Sequence, residues 1–129
     1  MQKEITIKTN KKYEIVDITN EIEDIVKDVK EGNVTIYVPH ATAAIIINEN
    51  YDPNVRSDIL NALSKLIPEG IWEHDKIDNN GAAHIKAAIL GPSETVPIKN
   101  GKLLLGTWQS IALVELDGPR SRKIIVSVR

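Results

Sequence analysis

Ile5 and Ile7 alternate with polar neighbours, and Val34, Ile36 and Val38 do the same. A period of two predicts a strand with one buried face in each place. Residues 17–32 follow a longer period. Ile22, Ile25, Val26 and Val29 fall on one face, which predicts a helix capped by Thr19 or Asn20 and ended at Gly32. A second helix is expected after Pro53, with Val55, Ile59, Leu60, Leu63 and Leu66 as its buried stripe and Pro68 beyond its end. Residues 43–47 are apolar on both faces, which fits a central or interface strand. Asn100-Gly101, between residues 96–98 and 103–105, predicts a hairpin because both residues tolerate positive φ. Asp117-Gly118, between residues 111–116 and 124–128, predicts another. The C-terminal third then reads as an antiparallel meander, and residues 1–129 as a single α+β domain whose strands outnumber its helices.

Composition narrows the class. The 129 residues are 42% hydrophobic but contain no Phe, so the core must come from Ile, Leu, Val and Ala. A net charge of −2 gives no electrostatic reason to expect nucleic acid. The absence of cysteine excludes disulfides, thiolate metal sites and a cysteine nucleophile. No stretch approaches the roughly 20 apolar residues of a membrane span, and Met1-Gln2-Lys3-Glu4 lacks an apolar signal region. A soluble, cytoplasmic protein without a membrane partner is the expectation.

Several polar segments exceed what a scaffold requires. They are His40-Ala41-Thr42-Ala43-Ala44, Asn48-Glu49-Asn50 with Asp52-Pro53 and Arg56, Glu73-His74-Asp75 through Ala83-His84-Ile85 with Gly91 beyond, Gly106-Thr107-Trp108-Gln109, and Glu115 to Arg120. In this order they closely resemble the YjbQ family, an uncharacterised protein family, over nearly the whole chain. The resemblance implies a compact α+β fold of packed mixed or antiparallel β-sheets, with two main helices plus a short one, assembled as a homotrimer. Members are similar to a protein with a secondary thiamine-phosphate synthase activity. The implied function is a transferase that joins a hydroxymethylpyrimidine diphosphate to a thiazole phosphate and releases pyrophosphate.

The three histidines, His40, His74 and His84, all lie where the chain changes character, and none is embedded in an apolar run. They are the expected ligands of a divalent metal, zinc or magnesium. Three nitrogens with an open fourth position would form a catalytic zinc site. Glu49 or Asp75 would then orient a histidine or act as general base. The competing use is acid–base catalysis by one histidine without a metal. Arg120, after Gly118-Pro119, is the expected catalytic guanidinium for a small phosphorylated metabolite, because its planar fork donates two hydrogen bonds at once. Backbone amides in Asn80-Gly81-Ala82-Ala83 would add an anion cradle. Thr42, Asn48, Trp108 and Gln109 are the expected substrate contacts, Trp108 as a stacking platform and Gln109 as a reader of a heterocycle's polar edge. Each also has a structural use, in a loop, at a strand end or in a subunit contact. Two other functions compete: a metal-dependent hydrolase in which Glu49 or Asp75 activates water, and a non-catalytic binder of a phosphorylated or heterocyclic metabolite.

Overall fold

The computed structural model describes residues 1–129, and two antiparallel sheets organise it. Strands β1 (Gln2–Lys8), β8 (Ser121–Val128), β3 (Glu31–Tyr37), β5 (Ser93–Lys99) and β6 (Lys102–Leu103) form the larger sheet in that order. Strands β2 (Glu14–Asp17), β7 (Gln109–Glu115) and β4 (Ala43–Glu49) form the smaller one. Helices α1 (Thr19–Val26), α2 (Pro53–Leu66) and α3 (Gly81–Leu90) and a 3-10 turn at Glu73–Lys76 complete the fold. The α+β expectation holds.

The main core lies between the sheets and is aliphatic throughout. Val34 and Ile36 from β3, Val96 and Ile98 from β5, and Ile124 and Val126 from β8 meet Ala43 and Ile45 from β4 and Ile111 and Leu113 from β7. Ile18, Ile22 and Val26 bring α1 into the same cluster. A thinner second core covers the other face of the small sheet. There Ala83 and Ala87 of α3 pack with Ala44, Val114 and Leu116. Their small side chains let the helix sit close to the sheet. Strand β4 is therefore apolar on both faces although it lies at a sheet edge.

Local signals explain several boundaries. Asp52 caps α2, its carboxylate accepting the Asn54 amide at 2.9 Å, and Pro53 opens the first turn. Asn100 (φ 52°) and Gly101 (φ 74°) make the expected hairpin between β5 and β6. Three expectations fail. The first helix stops at Val26, six residues short of Gly32, which instead lies in β3. There a Cβ would stand 2.3 Å from the Arg129 carbonyl oxygen, so close strand approach explains that glycine. Asp117-Gly118 does not close a hairpin, because β7 and β8 belong to different sheets and the chain turns a corner between them. The C-terminal third is thus no meander. Finally, no residue of α2 is fully buried, and Leu66 is 78% exposed, so its apolar stripe is only partly covered.

Candidate functional site

The expected site residues divide between the two ends of β4. His40 and Thr42 precede its first residue, whereas Asn48 and Glu49 end it and pair with Ser110 and Gln109. Six strand steps separate Ala43 from Glu49, about 20 Å. Trp108 and Gln109 therefore belong with Glu49, far from the histidines.

At the histidine end, His40 and His84 line one open cleft, whose walls are Ala41, Ala43, Ala87, Ala88 and Pro92. Strand β3 delivers the His40 loop, and the Val38 amide donates to the Pro92 carbonyl at 2.9 Å, tying that loop to the segment after α3. His84 lies one turn into α3, which begins at Gly81. His74 packs edge-to-face on His84, with ring centroids 4.7 Å apart. Its Nε2 is buried without a hydrogen bond, 3.6 Å from an Asp78 carboxylate oxygen.

The three-histidine metal set is not gathered in this chain. No group of three His, Cys, Asp or Glu side chains converges closely enough to share an ion. His40 moreover accepts the Lys123 amide hydrogen on Nε2 at 3.0 Å. A neutral imidazole whose Nε2 accepts carries its proton on Nδ1, so neither nitrogen offers a free lone pair. The zinc or magnesium expectation thus lacks a three-ligand seat in this chain. Burial, together with the charges of Arg122, Arg120 and Lys123, holds the His40 pKa below its ordinary value against the opposing pull of Glu115. The ring is accordingly kept neutral.

Asp75 is committed elsewhere. One oxygen accepts the Trp72 amide at 3.0 Å and the other the Gly81 amide at 2.8 Å. These two bonds hold its pKa below the usual carboxylate range, which suits a helix cap and not a general base. They also fill the expected anion cradle at the start of α3 with the protein's own carboxylate. Arg120 folds back on Asp117, donating to its carbonyl at 2.9 Å and its carboxylate at 3.1 Å. That carboxylate also accepts from Asn80.

Most side-chain bonds at the other end of β4 are short-range. Gln109 accepts the Gly106 amide at 2.8 Å, closing the Gly106–Gln109 turn rather than reading a heterocycle. Asn48 accepts the Glu49 amide at 2.7 Å, and Glu49 the Asp52 amide at 3.2 Å. Trp108 is 61% exposed, edge-to-face with Tyr51 at 5.4 Å. Arg56 donates to Asn50, which donates in turn to Asp17.

Sequence reasoning missed the best-built polar cluster. Arg122 and Glu115, 1% and 0% exposed, form a buried ion pair beneath the His40 loop. Glu115 also accepts from the Thr9 hydroxyl at 2.7 Å and from the amides of Leu116 and Asp117. Burial pushes its pKa up, but the bonds from Arg122, Thr9 and the Asp117 amide outweigh that, and the net is below the usual range. One Arg122 nitrogen donates to both the carbonyl and the hydroxyl of Thr42, at 3.1 and 2.9 Å. Thr42 therefore serves the loop and not a ligand. A signal did exist: Arg122 is in phase with Ile124, Val126 and Val128, which places it on the core face of β8.

The family model for UPF0047 YjbQ-like proteins matches residues 3–129. The chain belongs to that family. A UPF0047 protein of Methanocaldococcus jannaschii is 52% identical over 95% of this chain and 89% of its own length. The YugU protein of Bacillus subtilis is 42% identical over 99% and 98%. Among solved structures, a YbjQ-like protein of unknown function from Sulfolobus solfataricus superposes with a TM-score of 0.94 at 42% identity, covering 99% of this chain and 95% of that one. An uncharacterised conserved protein of the same family from Clostridium acetobutylicum gives 0.93 at 44% identity, covering 98% of each. The methanogen and Bacillus relatives carry only the family designation, and the Sulfolobus protein is described as of unknown function. These findings overturn the thiamine-phosphate synthase expectation: nothing in these relatives supports the activity. The geometry points the same way, since the expected heterocycle contacts, Trp108 and Gln109, lie at the far end of β4 from the histidines. No helix is long and apolar enough to cross a membrane.

Proposed function

We propose that the cleft between His40 and His84 is the working site of a metal-independent enzyme that acts on a small phosphorylated metabolite by proton transfer. The observation that carries this reading is that two imidazoles line one open cleft walled by alanines and a proline. Small walls leave room for a ligand, and imidazole is the ordinary proton-transfer group near neutrality. The local field favours an anionic substrate. Arg120, Arg122 and Lys123 act on His40 against the opposing charge of Glu115, although the whole chain is net negative. In this reading a neutral His40 donates a hydrogen bond to a substrate oxygen, as neutral imidazoles do at electrophilic sites. His84, whose ring stacks edge-to-face with His74, moves the proton.

The same reading takes the protein as a cytoplasmic homotrimer. Exposed Leu66, Ile71, Ile77 and Ile89 and the incompletely covered α2 support association.

The test is a panel of phosphate monoesters offered to protein pretreated with chelator. Binding is followed through the side-chain resonances of His40 and His84. Saturable shifts at both rings, with turnover lost in His84→Ala, are the expected result. Shifts at neither ring for any ester would sink the proposal. Turnover that appears only on adding zinc or magnesium would sink its metal-independent part.

A further inference from the structure

A buried ion pair is seldom the most stabilising use of its volume, since apolar side chains of similar size often serve as well. Arg122 and Glu115 are nevertheless almost fully shielded from solvent, and their position is informative. Arg122 holds Thr42 through two acceptors, the carbonyl and the hydroxyl. The Leu116 amide also donates to the Thr42 carbonyl, at 3.2 Å. Only two residues earlier in the same loop, the His40 ring accepts the amide hydrogen of Lys123, the residue after Arg122. One dipeptide of β8 therefore grips the loop twice, by a guanidinium at Thr42 and by a backbone amide at His40.

We propose that Arg122 is a positioning residue whose grip on Thr42 keeps His40 in its Nδ1–H tautomer, so that His40 presents a hydrogen-bond donor to an oxygen of the ligand. This inference rests on the reading of the His40–His84 cleft as the functional site and goes further in naming the residue that fixes the His40 tautomer. The opposite tautomer would bring an Nε2–H against the Lys123 N–H, two donors facing each other at 3.0 Å. While the loop stays in register with β8, that arrangement is excluded. A ligand matched to this site presents an acceptor, such as a phosphoryl or carbonyl oxygen, to His40.

The experiment is nitrogen-15 spectroscopy of the histidine rings at neutral pH in wild type, Arg122→Lys and Thr42→Val, each titrated with inorganic phosphate. Wild-type His40 is expected to show a protonated Nδ1 and an acceptor Nε2. Both variants are expected to show mixed tautomers at His40, unchanged tautomers at His74, and phosphate binding weakened roughly tenfold or more. Thr42→Val retains both buried charges, so it carries the test if Arg122→Lys does not fold. An Nε2–H tautomer in wild type, or an unaltered His40 in a folded variant, would overturn the inference. Phosphate that leaves His40 and His84 unmoved in wild type, while the tautomer is as expected, counts against the functional reading alone.

Discussion

The two ends of β4 look alike in the sequence and are built differently. Each is a strand end crowded with polar residues, His40 to Thr42 on one side and Asn48 to Asn50 on the other. At the second end Asn48, Glu49 and Gln109 are engaged by amides within three residues of themselves. Such bonds close turns and shape a surface. At the first end Arg122 reaches Thr42 across 80 positions, and Thr9 reaches Glu115 across 106. Bonds of that span lock four segments together and hold a ring in a chosen orientation. Long sequence separation predominates at the first end and short separation at the second, where the Asn50–Asp17 and Ser110–Asn48 bonds are the exceptions.

The strongest way to break the comparison is Arg122→Ala. It leaves Glu115 as a buried, unpaired carboxylate, and urea unfolding is expected to show a loss of about 3–5 kcal/mol. A loss below about 1 kcal/mol would mean that water reaches the pair and that the two ends are energetically alike.

Acid should separate the ends next. His40 titrates below 6.5 in the folded protein, so as pH falls from there the unfolded chain takes the proton first and stability declines. Glu115 behaves likewise below 4.5, its stabilisation being complete above that value and lost as pH falls through the lower folded value. Urea midpoints between pH 3 and 8 should therefore be level above about 6.5 and fall in two stages. His40→Ala should remove the upper stage only, and a flat profile down to pH 4 in wild type would contradict the field described around His40.

Smaller effects sharpen the contrast. Thr42→Val removes one of two acceptors for Arg122 and is expected to cost about 1–2 kcal/mol. Trp108→Ala, at an exposed turn, should leave stability within about 0.5 kcal/mol of wild type. A larger loss in urea unfolding would show that the aromatic end is anchored after all.

Much of the scaffold was legible from local pattern. Strands β1 and β3 follow their alternation, Asp52-Pro53 opens α2, and Asn100-Gly101 turns the hairpin. The failures have a common physical source. Lys27-Asp28-Val29-Lys30 continues a helical pattern, yet α1 ends at Val26, and the distant Gly101 packs against the Lys27 carbonyl, where a Cβ would stand at 2.3 Å. Asp117-Gly118 carries a hairpin signal, but whether the next strand pairs with the last or changes sheet is decided by distant partners. Of the three histidines, His40 and His84 share a cleft. Their tautomer and their separation from Trp108 depend on register between β4, β7 and β8, which no local motif encodes. The polar residues used in closing turns, such as Gln109, were overread for the same reason.

The aliphatic core has an optical consequence. With no Phe, and with neither Trp72 nor Trp108 inside it, the space between the sheets carries no chromophore. Intrinsic fluorescence will report the segment around the 3-10 turn and the Trp108 loop, either of which can loosen while the sheets stay intact. Melting followed by tryptophan emission is then expected to precede the loss of far-ultraviolet circular dichroism. That gap would be a signature of peripheral fraying, not of a folding intermediate.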